Sequence, residues 1–410
     1  RPAYPREIEA GVQKILDDVR REGDAALTRY AREFDHVDLS PDRFRVRDEE
    51  FPTRDAIDTQ WREAIEHAHQ NIVDFSRQHL PAAWNFSPRR GVSLGEKYVP
   101  YQRVGAYIPG GSAPLVSTVL HTVTLAKVAG VPEIVVVTPP GKHGQVHPAI
   151  LYAAQVAGAT EVYRLGGVYA IGALAYGTPT VRAVEKIVGP GNAYITAAKK
   201  IVYGQVAIDM VAGPSEVLII ADETANPAFI AADFLSQIEH GSGREQAVLV
   251  TPSRHFLECV QKELERQTAT LARKDAIRHC LETSAVLILV DDLETAVAVA
   301  NAYAPEHLEV QTANPRAVAE GLVCAGAIFL GPWTPEPVGD FTAGPSHVLP
   351  TGGAARCFSG LTVDQFYRRI SLLEYNRDAL LAELPHLQAF ADMEQLQAHG
   401  NSAAIRQTNP

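Results

Sequence analysis

The sequence is poor in cysteine: four occur in 410 residues, Cys259, Cys280, Cys324 and Cys357, and no pair stands in CxxC spacing. A disulfide framework is therefore not the organising device, and reduced packing thiols are expected. Long apolar runs are missing too. "AVLILV" at 285–290 is typical of the longest, well short of the roughly 20 apolar residues that cross a bilayer as a helix. No charged-then-apolar segment opens the sequence given, so a cytoplasmic protein without a membrane partner is expected. Lys and Arg form no run and the formal net charge is −11; nothing gathers positive charge into a stripe that would neutralise phosphates, which argues against nucleic acid. No GxGxxG fingerprint, internal repeat or low-complexity segment is found.

What is present is ordinary globular composition, 46% hydrophobic and 21% charged, in a chain long enough for two to four domains. Residues 7–36 carry apolar positions at helical spacing, broken at "EGD", and read as two surface helices. From about Tyr98 short β-rich runs alternate with helical ones, from "RVGAYI" to "EKIVGPGN". A second alternating series runs from "SEVLIIAD" to "AGAIFLG". Such alternation predicts right-handed crossovers and parallel sheet, with a ligand in the crevice between two α/β layers or at the carboxyl ends of their strands. After about residue 362 the pattern reads as helical only, interrupted by Pro385.

Several short stretches hold chemistry-bearing residues. In "NPAFIAADFLSQIEHG", Asn226 suits an N-cap, Pro227 the first turn and Gly241 the residue past the end. Gln237 and His240 then share one face of the last turn, a spacing that directs two side chains at one ion; the helix dipole alone would also favour a histidine there. "GPGN" at 189–192 follows a strand and opens a helix, as "YIPGGSAP" at 107–114 follows one; small residues at such points admit a phosphate to backbone amides or make a plain turn. In "NAYAPEHLEV" (301–310), Asp291 and Glu294 upstream suggest a capping box, and Pro305 ends the helix by about Ala304. Glu306 and His307 fall on the helix-to-strand junction, where neighbours in extended chain point to opposite sides and suit two different protons; an exposed loop with incidental charge is the plainer reading. The loop 335–353 contains Glu336, Asp340 and His347. Glu394 and His399 would diverge by about 140° on one ideal helix, so a shared site requires the helix to end between them.

Taken together, "YIPGG", "AKVAGVPEIVVVTPP", "KIVGPGNAYI", "IDMVAGPSEVL", "LSQIEHG", "YAPEHLE", "GAIFLGPWTPEPVGD", "HVLPTGG" and "AH" at 398–399 resemble the histidinol dehydrogenase family, in the family's order and over nearly the whole chain. The resemblance implies an α/β fold of two Rossmann-like parallel-sheet domains with helical N- and C-terminal segments, in an intertwined homodimer. It implies N-terminal helices over 1–107 leading into the first α/β domain, an NAD-binding domain over 108–214, the first domain resumed over 215–361, and a dimer-swapped tail over 362–410. The implied reaction oxidises L-histidinol to L-histidine through the aldehyde, consuming two NAD and one water. His307 matches the general base and Glu306 the residue that activates water. The zinc ligands, one ion per subunit, fall on Gln237, His240, Asp340 and His399. Substrate contacts fall on Ser215, Glu336, His347 and Glu394 besides the ligands and His307, and dinucleotide contacts on Tyr107, Tyr169 and Asn192. The tail, with Glu394 and His399, would complete the site of the other subunit.

Four places depart from the family's commonest pattern. Tyr169 stands where a glutamine is usual, "LVSTVLH" (115–121) where Tyr-Pro-Ser-Ser-Val-Leu-Met is usual, Ser346 in place of asparagine, and Gln395 in place of the glycine of Glu-Gly-Leu. A family member acting on another amino alcohol, a diol or a sulfonated diol is the alternative, and a non-catalytic ligand-binding protein on the same fold is the alternative of another class. A thiol-based aldehyde dehydrogenase would need a cysteine tied to a base, and none of the four is.

Overall fold

A computed structural model describes residues 4–110, 114–239 and 244–408. The chain divides into two compact units, Arg1–His79 with Tyr101–Phe366, and Leu80–Pro100 with Tyr367–Pro410. The strands are β1 (Trp84–Phe86), β2 (Val92–Pro100), β3 (Arg103–Tyr107), β4 (Glu133–Val137), β5 (Glu161–Tyr163), β6 (Lys186–Val188), β7 (Ala207–Ile208), β8 (Glu216–Ala221), β9 (Gln246–Thr251), β10 (Ala285–Leu289), β11 (His307–Gln311), β12 (Ala327–Leu330) and β13 (Tyr367–Tyr375).

The larger unit holds two five-stranded sheets, ordered β5-β4-β3-β6-β7 and β10-β9-β8-β11-β12, with every pairing parallel. Each is Rossmann-like: strand order reverses once, between β3 and β6 and between β8 and β11. Continuous β-branched runs such as "EIVVV" and "EVLIIA" suit strands covered on both faces, and β8 is buried along its whole length. Phe234 and Ile238 pack on one face of the second sheet and Ala296 and Ala300 on the other. The opening helices Glu9–Glu22 and Asp24–Phe34 break at Gly23, whose φ of 57° lies in the left-handed region, and they bury Val12, Leu16, Leu27 and Tyr30 against the first sheet's cluster. Among the described residues no helix is long and apolar enough to cross a membrane.

The smaller unit pairs β2 antiparallel with β1 and β13 and ends in the helices Arg377–Met393 and Gln397–Thr408. The C-terminal segment is thus helical only from Arg377. Its "YRRISLLEY" forms a nine-residue strand, which a helix-only reading passes over because its apolar residues do not keep strict alternation. Glu394 and His399 do not share one helix: Met393 is the last residue of the first, Glu394 is its C-cap, and His399 lies in the first turn of the next. Gln395 takes φ 56° at this break, a conformation that favours glycine.

Candidate functional site

The junction after the helix Leu293–Tyr303 sets the site. Its N-cap is Asp292, one residue later than the sequence suggests; Asp292 is extended, and its carboxylate accepts the N–H and hydroxyl of Thr295. At the other end Ala304 adopts φ 53°, a left-handed turn that stops the helix directly before Pro305. Glu306 then occupies a bend and His307 opens β11. Because the bend is not extended chain, the two side chains do not diverge as alternation predicts, and Glu306 Oε2 lies 3.8 Å from His307 Nδ1.

The backbone of Glu216, the first residue of β8, holds both. Its N–H donates to Glu306 Oε2 at 2.9 Å, and its carbonyl lies 3.2 Å from His307 Nδ1. A carbonyl only accepts, so Nδ1 carries hydrogen and Nε2 is the basic nitrogen of the neutral ring. Gln237 Oε1 lies 3.0 Å from the same Nδ1. On the far side Nε2 faces Asp340 Oδ1 at 3.6 Å. Two electron-pair donors so placed require a proton or a cation between them.

Burial pushes the Glu306 carboxyl up to about 8, against the pull of His307. Burial opposes the His307 cation, but Glu306 and then Asp340 outweigh it and raise the ring to about 10. Glu336 is lifted to about 8 by burial and by Asp340. Burial works to raise Asp340 too, yet the hydrogen bond and charge of His307 hold it well below the carboxylate range. His307, Glu336 and Asp340 place one ligand atom each within 4.8 Å of one another. One imidazole nitrogen and carboxylate oxygens suit zinc or another divalent first-row ion, so these residues fit a metal.

The arrangement stands on a polar stripe that sequence reasoning missed. On β11, His307, Glu309 and Gln311 share one face, while Leu308 and Val310 enter the apolar core. Gln311 Nε2 donates to Asp233 and Glu309, both at 2.9 Å, and Glu309 accepts the Glu336 N–H at 3.0 Å. Ser236 donates to Glu336 at 3.1 Å. Burial and then Asp233 raise the Glu309 carboxyl well above its ordinary value. The period-two alternation in "HLEVQ" was the available signal. Of the two placements expected, the strand carboxyl ends do not hold for this cluster: Glu216 and His307 lie at the amino ends of β8 and β11. The helix Pro227–Ile238, capped by Asn226 as expected, returns antiparallel and brings Gln237 there. His240 and Gly241 lie outside the described residues. Ser215 directly precedes β8. His347 Nδ1 donates to the Asp340 carbonyl at 3.0 Å. Glu394 and His399 belong to the smaller unit.

In the first sheet the carboxyl ends carry the other candidates. Tyr107 closes β3, and Asn192 caps the helix Ala193–Val202 after "GPG", accepting from Tyr194 and Ile195. Gly189, at φ 116°, is clamped on both polar groups: its N–H donates to Asp209 at 2.8 Å and its carbonyl accepts from Lys199 at 2.8 Å. Lys199 and Asp209 themselves form a buried ion pair. Tyr169 is fully buried; its hydroxyl donates to Asp35 and accepts the Gly166 N–H at 3.2 Å.

Two Rossmann-like sheets carrying a buried carboxyl, a buried imidazole and a donor cluster that could hold a metal ion define an α/β protein with the groups of an enzyme site. Residues 3–407 match the family model for histidinol dehydrogenase. The chain is 46% identical to histidinol dehydrogenase of Heliobacterium mobile over 97% of this chain and 93% of that one. It is also 46% identical to that of Geobacillus kaustophilus over 98% and 96%. The crystal structure of histidinol dehydrogenase from Elizabethkingia anophelis superposes with a TM-score of 0.94 at 38% identity, over 100% of this chain and 94% of that one. The chain belongs to the histidinol dehydrogenase family, a family of oxidoreductases.

Proposed function

We infer that the protein oxidises L-histidinol to L-histidine through L-histidinal in two successive hydride transfers to NAD, aided by zinc. The single observation that carries this reading is the Glu306–His307 pair held by the backbone N–H and C=O of one residue, Glu216, which turns Nε2 of His307 toward Asp340. His307 takes the hydroxyl proton as hydride leaves the carbinol carbon. Glu306, which burial lifts to about 8, deprotonates the water that adds to the aldehyde, and a second hydride departure gives the acid. We propose Gln237, His240, Asp340 and His399 as the metal's holders; the bound ion would fix the substrate's amine and imidazole. Ser215, Glu336, His347 and Glu394 are proposed around the substrate, and Tyr107, Tyr169 and Asn192 around the dinucleotide.

A homodimer completes the proposal. In the smaller unit Leu373 is 72% exposed, Met393 69% and Phe390 60%. So much apolar surface on so small a unit favours an interface, and a second copy whose tail completes the site is the proposed occupant. Refolding His307→Ala and His399→Ala chains together then regenerates about a quarter of wild-type sites by symmetry. The defining experiment is NAD reduction against a panel of amino alcohols and diols. L-histidinol is expected to be the best substrate; turnover of a diol or sulfonated diol in its place would overturn the substrate, and no turnover of any would overturn the enzyme reading.

A further inference from the structure

The helix Glu336–Phe341, which carries Glu336 and Asp340, has six residues, and its N-cap Pro335 offers no side-chain hydrogen bond. So short a helix is marginal by itself, and its place is decided by what it rests on. Hydrogen bonds aim it: Glu309 Oε1 accepts the Glu336 N–H at 3.0 Å, Ser236 donates to the Glu336 carboxylate at 3.1 Å, and His347 Nδ1 donates to the Asp340 carbonyl at 3.0 Å. How closely the helix approaches is a steric matter, and that falls to Gly339.

Gly339 lies inside the helix, where any residue but proline fits the backbone and alanine is the better helix former. Conformational freedom is therefore not what the position uses. A Cβ there would stand 2.6 Å from Cε1 and 2.7 Å from Cζ of Phe329, but 3.9 Å from its Cδ1. Non-bonded carbons meet at about 3.5–4.0 Å, so the outer half of the ring fills the space a side chain at 339 would take. Phe329 is buried on β12 and pairs in register with Glu309 of β11. Cross-strand partners present their side chains on one face. The carboxylate that takes the Glu336 N–H and the ring that meets Gly339 thus stand side by side as one seat. The same ring meets His307, with centroids 5.9 Å apart and planes 62° apart, the edge-to-face class of aromatic contact.

We propose that Phe329 is a positioning residue: with Glu309 it seats the helix, and the bare backbone at Gly339 lets the helix settle until Asp340 Oδ1 stands 3.6 Å from His307 Nε2. The inference rests on the reading of Asp340 as a metal holder and adds the contact that sets how far it reaches.

The test compares full-length wild type, G339A, F329L and the double variant by zinc affinity, in competition with a chromophoric chelator, and by NAD affinity. Leucine ends at its δ carbons, so F329L removes the two atoms that exclude a side chain at 339. G339A should weaken zinc binding by about tenfold or more, the scale of loss when the partners that support a metal ligand are disturbed, and F329L by less. In the F329L background the alanine should cost no more than about a further twofold. NAD affinity should stay at the wild-type value throughout, which a general loss of structure would not permit. Zinc affinity in G339A within about twofold of wild type, or losses that simply multiply in the double variant, overturns the proposal. If G339A fails to fold, a double variant that melts with F329L supports the seat, and one that fails as well overturns it. Crystal structures read the contact without metal. A helix displaced from β12 in G339A and restored in the double variant supports the proposal; a helix that stays while the Phe329 ring swings aside overturns it. D340N tests the underlying reading: zinc held as tightly as in wild type would contradict Asp340 as a holder, and the crystal structures would still decide the role of Phe329.

Discussion

Glu306 Oε2 lies 3.8 Å from His307 Nδ1, too far for a hydrogen bond, and each is tied instead to the backbone of Glu216, Glu306 to its N–H and His307 to its carbonyl. The two groups share no hydrogen bond, yet each feels the other's charge: Glu306 raises the His307 ring and His307 opposes the rise of the Glu306 carboxyl. Glu306→Gln keeps an oxygen for the Glu216 N–H but loses the base. It should leave alcohol oxidation partly intact and slow oxidation of supplied aldehyde by about 10²-fold or more, the scale of general-base catalysis. His307→Ala should damage both half-reactions. Equal losses in both half-reactions of Glu306→Gln would remove the water-activating role.

Asp35 offers a test by pH away from the metal donors. Burial raises its pKa, against the lowering effect of the Tyr169 hydroxyl. A carboxyl raised in the folded state contributes stability below its unfolded value, near 3.8, and that contribution is lost as pH rises through the folded value. Asp35→Asn keeps an acceptor for Tyr169 and cannot ionise. Its stability relative to wild type in urea unfolding should therefore improve between pH 4 and pH 7. A difference that stays flat or shrinks over that range would show that the ionised form is not penalised.

The Gly189 turn depends on a buried charge pair. The Lys199 and Asp209 side chains are 4% and 0% exposed, so Lys199→Met strands a carboxylate in the interior. A loss of about 3–5 kcal/mol is expected, together with weaker NAD binding, because the turn before Asn192 loses its clamp. Denaturant unfolding and dinucleotide titration measure the two effects; a loss under about 1 kcal/mol would mean that water reaches Asp209.

How much was legible beforehand follows from where each signal lies. Both alternating series, the helix stop before Pro305 and the Asn226 cap are local patterns, and the structure keeps them. The stripe of Glu309 and Gln311 with Asp233 is local on β11 but acquires meaning only when the helix Pro227–Ile238 packs on it, a contact that spacing does not reveal. The approach of Glu306 to His307 was missed for a different reason. A left-handed alanine replaces extended chain with a bend, and single-residue backbone reversals outside glycine leave little trace in sequence.

Gln395 is the exception that the family pattern did flag. It occupies φ 56° after the helix Arg377–Met393, where the resemblance leads one to expect glycine. Gln395→Gly should raise stability by about 1 kcal/mol by relieving left-handed strain. A lower melting temperature in the variant would mean that the glutamine side chain contributes more than the strain costs.

The central claim is a four-electron oxidation completed at one site, and a limiting-substrate titration tests it most directly. With NAD in excess and L-histidinol limiting, the absorbance of the reduced dinucleotide should reach two equivalents per substrate, with L-histidine as product and no free aldehyde. An endpoint of one equivalent with L-histidinal accumulating would contradict it.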